Sequence, residues 1–344
     1  MKILVRATNW VGDAIMSIPA LCAIRQHCPE AEIAILARPS VAELYSEQPF
    51  VNRVIPLGES MASPIGVERA ARELRDERFD CAILMPNAFS AAWLAWRAKI
   101  PQRIGYARDG RRLLLTDAIG VPKPGEIPAH EAYYYLELLR CAGWLDKLPH
   151  VTQISLMLPP DAARRAETRL QEAGARSGAV RVALAPGAAY GAAKCWLPER
   201  FATVADALID EFSTDVILFG TSSEIEICRQ IADRMRHRAV MLAGQTGMRE
   251  LPSLFSRCNL FVGNDSGAMH VAAAVGVPVV AVFGSTDPLG TAPMTSERTL
   301  VRHAVSCSPC FLRECPIDHR CMTRVPAEDV RSAAAKWLEE RRSA

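Results

Sequence analysis

The chain has 344 residues and is half hydrophobic, enough to bury a substantial core and to exclude a disordered or fibrous protein; the length favours two domains. Lys and Arg number 40 against 38 Asp and Glu, a formal charge of +2, which argues against a dedicated polyanion binder such as a nucleic-acid packaging protein. No run of about eighteen uncharged apolar residues occurs, and the start, Ile3-Leu4-Val5 between Lys2 and Arg6, lacks the pattern of a signal peptide, so the expectation is a cytoplasmic protein that begins at Met1.

In the first half, strand-like runs at Ile3-Leu4-Val5, Ile33-Ala34-Ile35-Leu36, Val54-Ile55 and 81–85 alternate with amphipathic stretches, among them a helix from about Gly12 to His27. Short, nearly continuous apolar strands between helices imply a parallel sheet covered on both faces. Ile15, Ile18, Cys22 and Ile24 give the first helix its sheet-facing stripe, and Pro19 should kink it or confine it to a short first segment. From Pro101 to Glu131 the pattern dissolves into a Gly-, Pro- and Arg-rich stretch that reads as a functional surface loop region. Arg97, Lys99, Arg103, Arg108, Arg111 and Arg112 gather within residues 97–112, which contain one acid, Asp109. The cluster suits an acidic substrate or an anionic membrane surface, or is simply a solvated basic loop.

A helix over 131–142 follows, and 159–174 reads as a helix and hinge into a new domain. The division expected is 1–158 and 159–344. The second half restarts the alternation with strands at 180–185, 216–219, 260–262 and 277–283 and helices at 198–211, 224–236 and 267–275. A final helix over 326–341 is expected to cross back to the first domain. The fold expected is two doubly wound, Rossmann-like α/β domains facing a central cleft, where the carboxyl ends of open sheets bind ligands. Neither Gly-x-Gly-x-x-Gly after a strand nor Gly-x4-Gly-Lys-Ser/Thr is present, so a dehydrogenase and a P-loop NTPase both lack their fingerprints and a nucleotide-sugar enzyme remains.

Four segments carry chemistry. In Arg6-Ala7-Thr8-Asn9-Trp10-Val11-Gly12-Asp13 a strand ends, Gly12 permits close backbone approach, and Asp13 at a helix start is either a general base or a helix cap. In Gly263-Asn264-Asp265-Ser266-Gly267-Ala268-Met269-His270, small residues after a strand let the free amides of Ser266, Gly267 and Ala268 hold a diphosphate. Asp265 would be repelled by that phosphate and suits a sugar hydroxyl, while His270, one turn in, is either a donor to the ligand or structural. The loop 186–198 carries one cation, Lys194, suited to offsetting the charge of a leaving diphosphate. Glu224, after Phe219-Gly220-Thr221-Ser222-Ser223, suits ribose hydroxyls or a capping box, and the loop 243–247 offers backbone groups to a base.

Taken together, the Arg-Ala-Thr-Asn-Trp-Val-Gly-Asp-Ala loop, the Pro-Gly…Lys-x-Trp loop, Asn-Asp-Ser-Gly-x-x-His and Phe-Gly-Ser-Thr-Asp-Pro (283–288) resemble the ADP-heptose:lipopolysaccharide heptosyltransferases almost from end to end. The tail Cys-Ser-Pro-Cys-Phe-Leu-Arg-Glu-Cys-Pro resembles the branch that adds the second heptose. The resemblance implies the two-domain GT-B fold and a metal-independent, inverting transfer of heptose from ADP-heptose to the first heptose of the lipid A inner core, without a cofactor. It implies Asp13 as the base on the acceptor hydroxyl, Lys194 on phosphate and Glu224 on ribose. Thr246 is then by the adenine, Asp265 by the heptose, and Ser266, Gly267, Ala268 and His270 about the diphosphate. Asn9, Gly12, Arg108, Arg111 and Arg112 are the expected acceptor contacts, with the lipid-borne acceptor bringing peripheral contact with the inner membrane and no nucleic acid involved. Ala188-Ala189-Tyr190 stands where some relatives carry hydroxyl residues. The rivals are the branch that adds the first heptose, a GT-B enzyme of another nucleotide sugar, and a zinc-binding interaction module. The last rests on Cys307, Cys310, Cys315 and Cys321, with His303 and His319 near, which have sulfur enough for a structural zinc site or stay as reduced thiols packing a Pro-rich loop.

Overall fold

The computed structural model describes residues 1–58 and 63–342. The chain divides into two compact units, Met1–Val151 and Thr152–Ala344.

The first unit runs β1 (Lys2–Arg6), α1 (Val11–Met16), α2 (Ile18–His27), β2 (Glu32–Ala37), α3 (Pro39–Ala42), β3 (Arg53–Pro56), α4 (Pro64–Asp76), β4 (Cys81–Leu84), α5 (Phe89–Arg97), β5 (Gln102–Tyr106), β6 (Asp117–Ile119) and α6 (Glu131–Cys141). Its six strands lie in the order β3-β2-β1-β4-β5-β6, all parallel. Ile3, Leu4, Val5, Ile33, Ile35 and Ile83 are buried on both faces of this sheet, as helices on both sides require. The first long helix breaks at Ser17, and Pro19 falls in the first turn of α2, where its missing N–H costs no hydrogen bond. The stretch expected to be loop from Pro101 holds two strands. β5 and β6 escape sequence reading because they carry Gln102, Arg103 and Asp117 at their exposed ends and only Ile104, Gly105 and Tyr106 are fully buried.

The second unit runs α7 (Ala162–Glu172), β7 (Arg181–Ala185), α8 (Pro198–Phe212), β8 (Asp215–Leu218), α9 (Ile225–Ala232), β9 (Val240–Met241), α10 (Leu251–Phe255), β10 (Leu260–Asn264), α11 (Gly267–Ala274), β11 (Val279–Val282), α12 (Pro288–Thr291), β12 (Arg298–Val301), α13 (Arg320–Thr323) and α14 (Ala327–Arg342). Its parallel sheet is ordered β12-β11-β10-β7-β8-β9. The division falls earlier than the expected break after 158, because Ile154 and Leu156 donate their amides to Met294 and Ala274 and so pack with this unit. The last helix was expected to return to the first domain. Instead Val330, Ala334, Ala335 and Leu338 of α14 are buried in the second unit's own core, against α8, β10, β11 and β12. Burial of Val330 and Leu338 alone is worth roughly 1.5–3 kcal/mol each.

In both sheets the strand order reverses once, between β1 and β4 in the first and between β7 and β10 in the second. Loops leaving the carboxyl ends of strands on either side of such a reversal diverge and leave a crevice. Among the described residues no helix is long and apolar enough to cross a membrane.

Candidate functional site

The crevice of the second sheet lies between the loops after β7 and β10, and Lys194, Asp265 and the start of α11 meet there. Lys194 Nζ meets Asp265 Oδ2 at 2.6 Å, with side chains 12 % and 3 % exposed. Thr286, on the loop after β11, donates its hydroxyl to the same Asp265 oxygen at 2.6 Å. Sequence reasoning assigned Lys194 to phosphate and Asp265 to sugar separately, and it missed both their pairing and Thr286. The only signal for Thr286 was its place in 283–288 at the end of an apolar run.

The neighbouring residues hold this pair in position. Asn264, wholly buried, accepts from Trp196 N at 3.0 Å and donates to Pro186 O at 2.6 Å, so the end of β10 is stitched to both ends of the Lys194 loop. Trp196 is buried and donates to Val325 O at 3.0 Å. Tyr190 lies under the Lys194 ammonium, 5.0 Å from ring centroid to Nζ. The first-turn amides of α11 point outward with no intrahelical acceptor, a ready site for anions. The Ser266 hydroxyl beside them is buried and without a hydrogen-bond partner. His270 is buried on α11, one turn in.

Glu224 takes the capping role. Its Oε2 accepts from Thr221 N at 2.7 Å and from the Thr221 hydroxyl at 2.9 Å, closing a capping box. Its Oε1 lies against Gly187 on the loop after β7, where an added Cβ would come within 2.0 Å. Only glycine leaves room for that carboxylate. Thr246 is half-buried on the loop after β9, a loop anchored by the Gly244 amide on Gly220 O at 2.8 Å.

In the first unit the crevice lies between the loops after β1 and β4. Trp10, not Asp13, is the N-cap residue of α1, and Asp13 sits in the first turn, where the helix dipole favours a carboxylate. The Asp13 charge reaches Glu131, Tyr135 and Tyr45. Burial first, and Asp13 second, push the Glu131 carboxyl up to about 7. Burial likewise carries Tyr45 up to about 12. Sequence reading missed Glu131, which opens α6, and Asn87, whose amide donates to the Tyr134 hydroxyl at 2.9 Å. Asn9 accepts from Arg6 Nη2 at 2.7 Å.

The acceptor-side arginines separate. Arg108 and Arg112 are exposed. Arg111 is wholly buried and donates to Tyr106 O at 2.9 Å, to Pro86 O and, at 3.5 Å, to Ala88 O. Its Nη2 reaches Asn87 Oδ1 at 3.4 Å, and the side chain braces the loop after β4 to the loop after β5, a structural role in place of the exposed contact expected from sequence.

The cysteine loop has a different role from the zinc reading. Cys321 is buried, Cys307 and Cys315 half-buried and Cys310 exposed, all as free thiols. Among the described residues no three His, Cys, Asp or Glu side chains are grouped to hold a metal ion. The loop's backbone instead ties two site loops together. Cys310 N and Phe311 N donate to Ser285 O, and Ala193 N donates to Arg313 O. The Tyr190 hydroxyl reaches Phe311 O at 2.6 Å, and His319 Nε2 lies 3.1 Å from Ala193 O.

Residues 67–320 match the sequence profile described as glycosyltransferase family 9 (heptosyltransferase). The chain is 31 % identical to lipooligosaccharide heptosyltransferase 2 of Haemophilus influenzae over 88 % of both chains. It is 32 % identical to lipopolysaccharide heptosyltransferase 2 of Salmonella typhimurium, again over 88 % of each. The solved Escherichia coli ADP-heptose lps heptosyltransferase II superposes with a TM-score of 0.85 at 28 % identity, covering 99 % of this chain and 100 % of that one.

Proposed function

The chain belongs to glycosyltransferase family 9, the heptosyltransferases, and on that premise we propose that it transfers heptose from ADP-heptose to the first heptose of the lipopolysaccharide inner core in a single inverting, metal-independent step. The relatives named heptosyltransferase 2 and the solved ADP-heptose enzyme support that choice of donor and acceptor. The observation that carries it is the order of groups along the carboxyl edge of the second sheet. From β10 through β7 and β8 to β9 the edge presents Asp265 with the α11 amides, then Lys194, then Glu224, then Thr246. Three strand steps span about 14 Å, the scale of an extended nucleotide sugar. The sequence sugar, diphosphate, ribose, base matches hydroxyl acceptor, cation and amides, carboxylate, loop backbone.

In this reading the acceptor hydroxyl oxygen attacks the anomeric carbon from the face opposite ADP. Its proton passes to the Asp13 carboxylate while the bond from that carbon to the β-phosphate oxygen breaks. No enzyme nucleophile is needed, so configuration inverts. Lys194 turns from Asp265 to the departing diphosphate and offsets its charge, joined by the amides of Ser266, Gly267 and Ala268 and by His270. Asp265, released from the ammonium and still held by Thr286, accepts from a heptose hydroxyl. Asn9, Gly12, Arg108 and Arg112 receive the anionic acceptor. A lipid-borne acceptor implies peripheral contact with the cytoplasmic face of the inner membrane.

The test is transfer from ADP-heptose to a deacylated heptosyl-Kdo acceptor in EDTA, with UDP-sugars as competitors and Asp13→Ala alongside. Product from wild type alone, undiminished by UDP-sugars, is the expected outcome. No product from wild type, or equal use of a UDP-sugar, overturns the donor and acceptor assignment.

A further inference from the structure

The outward face of α5 is out of keeping with the rest of the surface. Ala91, Ala92, Leu94 and Ala95 turn inward and are buried. On the other side Phe89, Trp93 and Trp96 recur at helical spacing as one aromatic run, with ring centroids 6.1 Å apart between Phe89 and Trp93 and 5.0 Å between Trp93 and Trp96. Phe89 is 47 % and Trp96 41 % exposed. The short turn Arg112–Leu114 packs beside this helix. Its Leu114 and Leu115 turn into the core, while Leu113 is 92 % exposed. Exposed single apolar residues are ordinary, but a contiguous aromatic patch with a bare leucine beside it marks a surface that something covers.

The charge around the patch selects what covers it. No acidic residue occurs between Asp80 and Asp109. The Arg97 guanidinium sits 5.9 Å from the ring centroids of both Trp93 and Trp96 but is neutralised by Glu68 of α4, 2.5 Å away, so the positive charge at the patch comes from Lys99 and Arg112, both exposed close by. A second copy fits poorly, because a two-fold contact would set these cations against themselves. Indole rings with an apolar body and a polar N–H, flanked by cations, match the headgroup region of an anionic bilayer. We propose that the outer face of α5, with Leu113, docks the chain on an anionic membrane surface, the rings at headgroup depth and Lys99 on lipid phosphates. This rests on the peripheral contact proposed above and assigns it to these residues.

The full chain is to be sedimented with phosphatidylcholine vesicles with and without phosphatidylglycerol, with tryptophan emission followed in parallel. The expected result is binding that requires the anionic lipid, weakens with salt and shifts the emission to the blue. Trp93→Ser/Trp96→Ser and, separately, Leu113→Asp should each cut partitioning by roughly tenfold or more, and Lys99→Glu should lower it less. Leu113 is so exposed that its variant cannot fail by unfolding, and the Trp pair is checked by unchanged transfer to the deacylated acceptor. Wild type that ignores anionic vesicles, variants that bind as wild type does, or lipid-free self-association abolished by the same variants would each overturn the assignment. Vesicle binding without any heptosyl transfer would sink the functional reading and leave the docking surface standing.

Discussion

Lys194 and Asp265 form an ion pair at 2.6 Å although 71 residues separate them in sequence. Each leaves a different side of the strand-order reversal, Lys194 from the loop after β7 and Asp265 from the end of β10. Without a ligand the pair satisfies two charges that are nearly buried. In the proposed reaction a diphosphate at the α11 N-terminus would offer the ammonium a second anion, so that ligand binding would exchange partners and free the carboxylate for a sugar hydroxyl.

Lys194→Ala strands the Asp265 carboxylate, leaving it the Thr286 hydroxyl as donor. An uncompensated buried charge costs on the order of 3 kcal/mol, so the melting temperature of the ligand-free protein should fall. ADP affinity should fall as well, by roughly 10- to 100-fold from the lost charge-assisted contact. Lys194→Ala/Asp265→Asn should recover the melting temperature without recovering ADP binding. Calorimetric titration that finds wild-type affinity for Lys194→Ala removes the phosphate role.

Asp13→Ala should separate chemistry from donor binding, because the proposed donor contacts are all carried by the second unit. Loss of a general base costs about 10²–10⁴-fold in rate, while the ADP dissociation constant should stay within about twofold, well under the tenfold that 1.4 kcal/mol represents. Single-turnover rates and titration of the same variant check both halves. Near-normal turnover would remove Asp13 from the proton transfer.

The parts of the fold legible in sequence were those where one signal dominated. Leu260–Val262 followed by Asn-Asp-Ser-Gly is a buried strand that meets a helix N-terminus, and the structure differs from that reading only in extending β10 to Asn264. β5 and β6 hid because edge-side positions tolerate Gln102, Arg103 and Asp117, which breaks the apolar run. Pairings between distant loops were invisible: nothing local links Lys194 to Asp265, or Arg111 to the carbonyl of Pro86. The sheet that buries α14 was not legible either, because an amphipathic helix records that it has a partner, not which sheet supplies it.

Glu131 makes stability depend on pH in a predictable direction. Its carboxyl is raised from 4.5 to about 7 by burial and then by the Asp13 charge, with the Tyr135 hydroxyl and Arg108 pulling the other way. Between those two values the folded state keeps a proton that the unfolded chain has released. The stabilisation is therefore full below about pH 4.5 and is lost as the pH rises toward 7, by on the order of 2 kcal/mol after allowance for solvent. Urea midpoints measured from pH 4.5 to 8 should fall across that window, and Glu131→Gln should flatten the fall. Asp13→Ala, which removes the second cause of the shift, should narrow the window. A wild-type curve that is flat or rises would contradict the assignment.

Arg111 and Arg108 lie three residues apart in one basic stretch and should fail in opposite ways. Arg111→Ala takes the guanidinium from the carbonyls of Tyr106, Pro86 and Ala88, and each buried acceptor left unpaired costs about 1–3 kcal/mol. The loops after β4 and β5 should loosen, the melting temperature should drop by several degrees, and Arg111→Lys should not rescue it, since an ammonium cannot span the same fork. Arg108 is exposed, with Asp109 at 3.6 Å, and a surface pair of that kind contributes little to folding. Arg108→Ala should leave the melting temperature unchanged and raise KM for the anionic acceptor while kcat and ADP affinity hold. Thermal melts and acceptor titrations of the two variants side by side decide the matter: a KM effect with no change in melting temperature for Arg111→Ala would return that residue to the acceptor site.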